Sequence, residues 1–157
     1  MRQIASAERD VAAPAATVFG YLADLEQHWQ LADRFIEVVS LERPSDGAPA
    51  RGGVVRMRGP FGIRRAAHTR VVESEAPTRL SGTAQVGSGT IARVSWTLRA
   101  AGESTRVRLE ATVEQASPLD RALLALGGRR WLERRFAAIL QTLERRVGQP
   151  ADHSVPA

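Results

Sequence analysis

Residues able to do chemistry are few in this chain, and they are scattered. Its three histidines, His28, His68 and His153, stand far apart in helical, strand and tail contexts without the spacing of a metal-ligand set. Cysteine is absent, which excludes disulfides, thiolate nucleophiles and thiolate metal sites. The single tyrosine, Tyr21, falls at a packing position of a helical pattern. No metal and no cofactor is expected, and no convergent acid/base set can be assigned as catalytic.

What the residue types do offer is apolar recognition and positive charge. Trp96 sits in mid-strand among apolar neighbours, on one face with Leu98, and its indole N–H needs a partner whether it packs or binds. Trp29 and Met57 are weaker candidates of the same kind, and Trp131 reads as packing. Phe61 occupies the tip of Gly59-Pro60-Phe61-Gly62, which fits a type I turn with proline second and glycine fourth. His68 is the only histidine in a strand, and it could titrate near neutral pH if it lined an interior. Alternation groups it with Arg64, Ala66, Arg70 and Val72, against Ile63, Arg65, Ala67, Thr69 and Val71 on the other face. Neither face is cleanly apolar, so the inward one stays open, and an exposed His68 on a convex surface is the competing reading. Gly128, beside Gly127, interrupts a strong helical pattern at about 1 kcal/mol per glycine, which calls for the close approach of a strand or a ligand, or else for a kink or break between two helical segments.

All 22 basic residues are arginine, a bias that reads as codon usage before function. The net charge of +5 is unevenly placed: Arg51, Arg56, Arg58, Arg64, Arg65 and Arg70 lie in a stretch with no acid. That strip is either the solvated convex face of a sheet or a weak docking surface for an anionic partner.

The elements that position these residues follow from periodicity and turn chemistry. A strand from Gln3 to Val11 runs into Pro14, which suits a first helical turn, and Val18, Tyr21, Leu22 and Leu25 recur at helical spacing. Asp24 ends this helix or caps a second short one carrying Trp29 and Leu31. Strands are expected at 35–41, 52–58, 63–74, 78–86, 90–100 and 104–114, joined by connections so short that neighbours must pair antiparallel. In the last two, Ala92, Val94, Trp96 and Leu98 share a face, as do Val107, Leu109, Ala111 and Val113; arginines fill the reverse. One side of the sheet is therefore covered and the other wet. The cover is a long helix over 118–147, with Leu124, Leu132, Phe136, Ile139, Leu143 and Val147 along one stripe. A single domain over 1–147 is expected, followed by a disordered tail at 148–157.

The segments VAAPAATVFGYLADLEQHWQLADRFIEVV and SPLDRALLALGGRRWLERRFAAILQTLERRV, with the strand order between them, resemble the START-like (SRPBCC) superfamily and its polyketide cyclase/dehydrase-like group. The resemblance implies an α+β helix-grip fold: a curved seven-stranded antiparallel sheet wrapped around a long C-terminal helix, with two short helices closing one end. It also implies a cavity between sheet and helix, with the turns at Phe61 and Gly87-Ser88-Gly89 as its mouth. Relatives that act as aromatase/cyclases use an interior arginine with tyrosine and serine or histidine, for which Arg65 or Arg93 with Ser95 would have to turn inward. The residues support a cavity independently, because Ala66, Ala67, Thr69, Ser81, Gly82, Thr83 and Ala84 are too small to fill a wide core.

Three functions remain open: binding or carriage of a hydrophobic small molecule such as a lipid, quinone or polyketide-like compound; a cyclase/dehydrase or aromatase-type enzyme; and a basic surface module for RNA, ribosome or membrane. For the first, the expected ligand contacts are Trp29, Met57, Phe61, His68, Trp96, Leu98 and Gly128. No stretch approaches the length of a membrane span and the N-terminus lacks a secretory apolar core, so a cytoplasmic monomer or homodimer is expected.

Overall fold

The computed structural model describes residues 2–148, except for the side chains of Asp33 and Arg34. Seven antiparallel strands form one sheet, β1 (Arg2–Val11), β2 (Ile36–Glu42), β3 (Gly52–Arg58), β4 (Arg64–Glu75), β5 (Arg79–Val86), β6 (Thr90–Ala101) and β7 (Ser104–Gln115), in the order β1-β7-β6-β5-β4-β3-β2. Consecutive strands β2 to β7 are neighbours, as their short connections require, and β1 closes the arrangement by pairing with β7. The strand limits expected from alternation hold to within about one residue, inside the usual spread of boundary definitions.

Helix α1 (Ala15–Ala23) follows β1 directly after Pro14. Asp24 separates it from α2 (Leu25–His28): its carboxylate accepts from the Glu26 N–H at 3.0 Å, and also from the Ala50 N–H at 3.1 Å, tying the short helix to the entry of β3. A 3-10 segment, Trp29–Phe35, completes this floor.

After β7, Ser117 caps helix α3 (Pro118–Leu123), accepting from the Asp120 N–H, and the chain reaches α4 (Arg129–Val147) through a wide turn over Leu124–Gly128. Phe136, Leu140, Leu143 and Val147 of α4 bury their side chains against Val11, Val107, Leu109 and Leu98 from the sheet and Val18 and Leu22 from α1. Arg9 pins the opposite edge of α4, its Nε donating to Glu144 at 2.7 Å. This is the helix-grip arrangement expected from the sequence: a curved sheet holding a long C-terminal helical segment, with short helices after the first strand. The tail expected to be disordered lies, from residue 149 onward, outside the described residues, as does His153.

Register decides which face of β4 points inward. Val55 of β3 is 1% exposed and pairs with Ala67, also 1% exposed, so Ile63, Arg65, Ala67, Thr69 and Val71 face the helix. Arg64, Ala66, His68, Arg70 and Val72 face outward.

Candidate functional site

Between the sheet, the floor and the C-terminal helices lies a hollow of about 310 Å³. Its walls come from β3 (Val55, Met57), β5 (Leu80, Gly82, Ala84), β6 (Ala92, Val94, Trp96), the floor (His28, Trp29, Phe35) and α4 (Trp131, Leu132, Arg135, Phe136). The strand pairing explains why the space stays open. Gly82 stands opposite Val94 and Ala84 opposite Ala92, so the centre of the sheet presents small side chains to the hollow.

Four expected contacts line this hollow: Trp29, Met57, Trp96 and Gly128. Three do not. Leu98 is buried beyond Trp96 in the solid core, packed with α1 and α4. His68 is on the convex face, where its Nε2 lies 3.2 Å from the Glu42 carboxylate, so the alternative of an exposed strand histidine is the one realised. Phe61 is 74% exposed at the tip of the β3–β4 turn. That turn also differs from expectation: the Gly62 N–H donates to the Gly59 carbonyl, but Phe61 takes φ 60° and ψ 21°, a left-handed third position that a type I turn does not have. The flanking Gly59, Pro60 and Ile63 border the hollow, as do Val86 and Thr90 on either side of Gly87-Ser88-Gly89, whereas the tip residues themselves do not.

Gly128 has a specific reason to be glycine. Leu126 and Gly127 leave helical geometry, Gly127 with φ 107°, and a Cβ on Gly128 would stand 2.6 Å from the Leu123 carbonyl oxygen. The break between helical segments is therefore the reading realised, and the close contact at Gly128 is with the backbone of the preceding turn rather than with a strand. Gly128→Ala is expected to cost about 1–3 kcal/mol, read by urea unfolding; a loss below about 0.3 kcal/mol would mean that the turn relaxes freely.

Of the two interior arginine candidates, Arg65 does turn inward, but it is not free. Its two terminal nitrogens donate to the Asp120 carboxylate at 2.5 and 2.6 Å, with the side chains only 14% and 15% exposed. Asp120 also accepts from the Thr90 hydroxyl and, at 3.2 Å, from Ser117. Burial alone would raise its pKa, yet the Arg65 and Thr90 hydrogen bonds outweigh that and hold the carboxyl below its ordinary value. The pair fastens β4 to α3 beside Gly87, whose added Cβ would stand 3.2 Å from the Arg65 guanidinium. Arg65 is thus removed from the expected surface strip, and Arg56 pairs with Glu37 at 3.3 Å. Arg93 and Ser95 do not line the hollow; Ser95 shares a hydrogen bond with Ser81 at 3.2 Å.

Trp131, read from the sequence as packing, lines the hollow, and sequence reasoning also missed His28 and Arg135 there. His28 meets Trp29 and Trp96, ring centroids 5.1 and 5.3 Å away, and its Nδ1 lies 3.0 Å from the Leu22 carbonyl. A carbonyl only accepts, so Nδ1 carries the proton. Burial drives the His28 pKa down to about 4, the Leu22 hydrogen bond offsetting this only in part, so the ring is neutral at pH 7. Arg135 stacks its guanidinium 3.6 Å above the Phe35 ring, with Trp131 also beside it. The i, i+4 spacing of Trp131 and Arg135 was a legible signal for that cluster, whereas its third member, Phe35, arrives from the far end of the floor. Among the described residues, no three His, Asp or Glu side chains converge as metal ligands would, and no helix is long and apolar enough to cross a membrane.

A curved antiparallel sheet, a floor of short helices and a long helix enclosing an apolar hollow define a START-like fold. The chain belongs to the family described as polyketide cyclase / dehydrase and lipid transport, whose model matches residues 2–148. No curated protein matches the sequence. Solved structures with the same fold include TTHA0849 from Thermus thermophilus, with 24% identity, TM-score 0.68, and 91% of this chain and 95% of that one covered. A START superfamily protein from Mycobacterium smegmatis has 18% identity and TM-score 0.69, covering 94% and 97%. DynU16, encoded in the dynemicin biosynthetic locus, has 18% identity and TM-score 0.57, covering 90% of this chain and 45% of its own.

Proposed function

We propose that this protein binds and carries a hydrophobic small molecule in the hollow between its sheet and long helix. The observation that carries the reading is a void of about 310 Å³ walled by Ala84, Ala92, Val94 and Gly82 where packed interiors normally leave none. The groups that would serve a cyclase are otherwise engaged: Arg65 is neutralised by Asp120, and His28, with a pKa near 4, is a poor base at neutral pH. Tyr21 lies outside the hollow. Carriage is therefore favoured over catalysis, and over docking through the arginine strip.

The test is a thermal-shift screen of fatty acids, quinones, sterols and aromatic polyketides on the wild type and on Ala92→Phe, which fills the void from the middle of β6. A ligand at a hundredfold excess over its Kd should stabilise the wild type by about 2.7 kcal/mol, or about 5–10 °C for a chain of this size. The filled variant should fold and show no shift. Equal shifts in both proteins would place the ligand elsewhere and overturn the reading.

A further inference from the structure

Arg135 is a half-buried cation at the hollow whose charge nothing among the described residues answers. The Arg65 charge is met by Asp120, and on the surface Arg9, Arg106 and Arg108 are met by Glu144, Glu8, Asp10 and Glu110. Arg135 projects from α4 into the lining, is only partly exposed, and has no carboxylate within ion-pair reach among the described residues. Its Nε is buried without a hydrogen-bond partner. The guanidinium face lies on Phe35, with Trp131 5.7 Å from the same carbon. Stacking occupies the face and fixes the plane, while the edge, which carries the terminal N–H donors, is left for an acceptor. A partly desolvated cation without a partner is costly, and the cost is recovered when a matching anion arrives.

We propose that the ligand of the hollow is an apolar carboxylic acid, whose carboxylate pairs with the edge of the Arg135 guanidinium while its hydrocarbon body lies under β5 and β6 toward Trp96. The inference rests on the carrier reading and adds the head group. A planar carboxylate fits two parallel N–H donors, which an alcohol or an amide does not. A cationic head group is disfavoured, because Asp120, the carboxylate on the lining, is already paired with Arg65.

The experiment compares matched pairs by calorimetric titration at pH 7: dodecanoate against 1-dodecanol for a chain-like body, and 2-naphthoate against 2-naphthamide for a ring. In wild type the acid that fits should bind about tenfold to a hundredfold more tightly than its neutral partner, the range for hydrogen bonds to a charged group. Arg135→Met keeps the apolar stem and should reduce that ratio to near one by weakening the acid far more than its neutral partner. Arg135→Lys, which keeps the charge without the planar edge, should retain an intermediate preference and guards against a fold defect in the first variant. Whichever pair shows the preference identifies the body as chain or ring. Neutral and acidic members binding alike, or a preference that survives Arg135→Met, would overturn the carboxylate assignment and leave the carrier reading intact. No binding by any of the four would overturn both.

Discussion

Asp120→Ala is expected to destabilise the protein by about 2–4 kcal/mol, somewhat below the cost of orphaning one member of a fully buried ion pair, because both members are part-buried. For a chain of this size that lowers Tm by about 4–16 °C. The variant loses the two short Arg65 contacts, the Thr90 hydroxyl bond and the Ser117–Asp120 contact at the start of α3, and strands a guanidinium whose side chain is 14% exposed. Because the damage is an orphaned charge, the double variant Arg65→Met, Asp120→Leu should recover most of the loss. The pair also has a pH signature. The Asp120 pKa is held below its ordinary value, so its contribution is present above the usual carboxylate range and is lost as the pH falls through the lowered pKa. A loss under about 1 kcal/mol for Asp120→Ala in chemical denaturation would put the pair in the class of surface ion pairs and contradict its role as a fastener.

His28 should produce the second large effect, in a different pH window. Its pKa falls from 6.5 to about 4 on folding, so between those values the unfolded chain binds the extra proton. The stability present above pH 6.5 is therefore lost progressively as the pH drops toward 4, by up to about 3 kcal/mol at 1.36 kcal/mol per pH unit. His28→Phe retains a ring against Trp29 and Trp96 but cannot titrate. Its stability, followed by denaturant midpoint from pH 7 to pH 4, should lack the His28 share of the slope. Parallel curves for wild type and variant would show that the ring accepts its proton without penalty and is not held in an apolar setting.

Much of the fold was legible because periodicity and turn chemistry act locally. The alternation of Ala92, Val94, Trp96 and Leu98 against Arg93 and Arg99 specified both the strand and its covered face, and Asp24 announced the boundary between two helices. The site was less legible. In β4 both faces mix arginine with small residues, and only the pairing of Ala67 with Val55 chooses between them; His68 therefore falls outside and Arg65 inside. Leu98 lies on the correct face but past the hollow, since alternation reports a face and not a position along it. Phe61 was placed by turn residues, yet a positive φ turns its side chain to solvent. The contacts of Arg135 with Phe35, and of Arg65 with Asp120, join residues separated by about a hundred and by 55 positions, which no local pattern encodes.

The central claim, an interior apolar site, is tested most directly by isotope-filtered NOE spectroscopy on the protein with a saturating apolar ligand from the screen. A ligand seated in the hollow gives cross-peaks to the Ala84 and Ala92 methyls, the Val94 methyls and the Trp96 ring, all on the concave face. Cross-peaks confined to Val72 and His68 on the outer face of β4, with none to Ala92 or Val94, would contradict it.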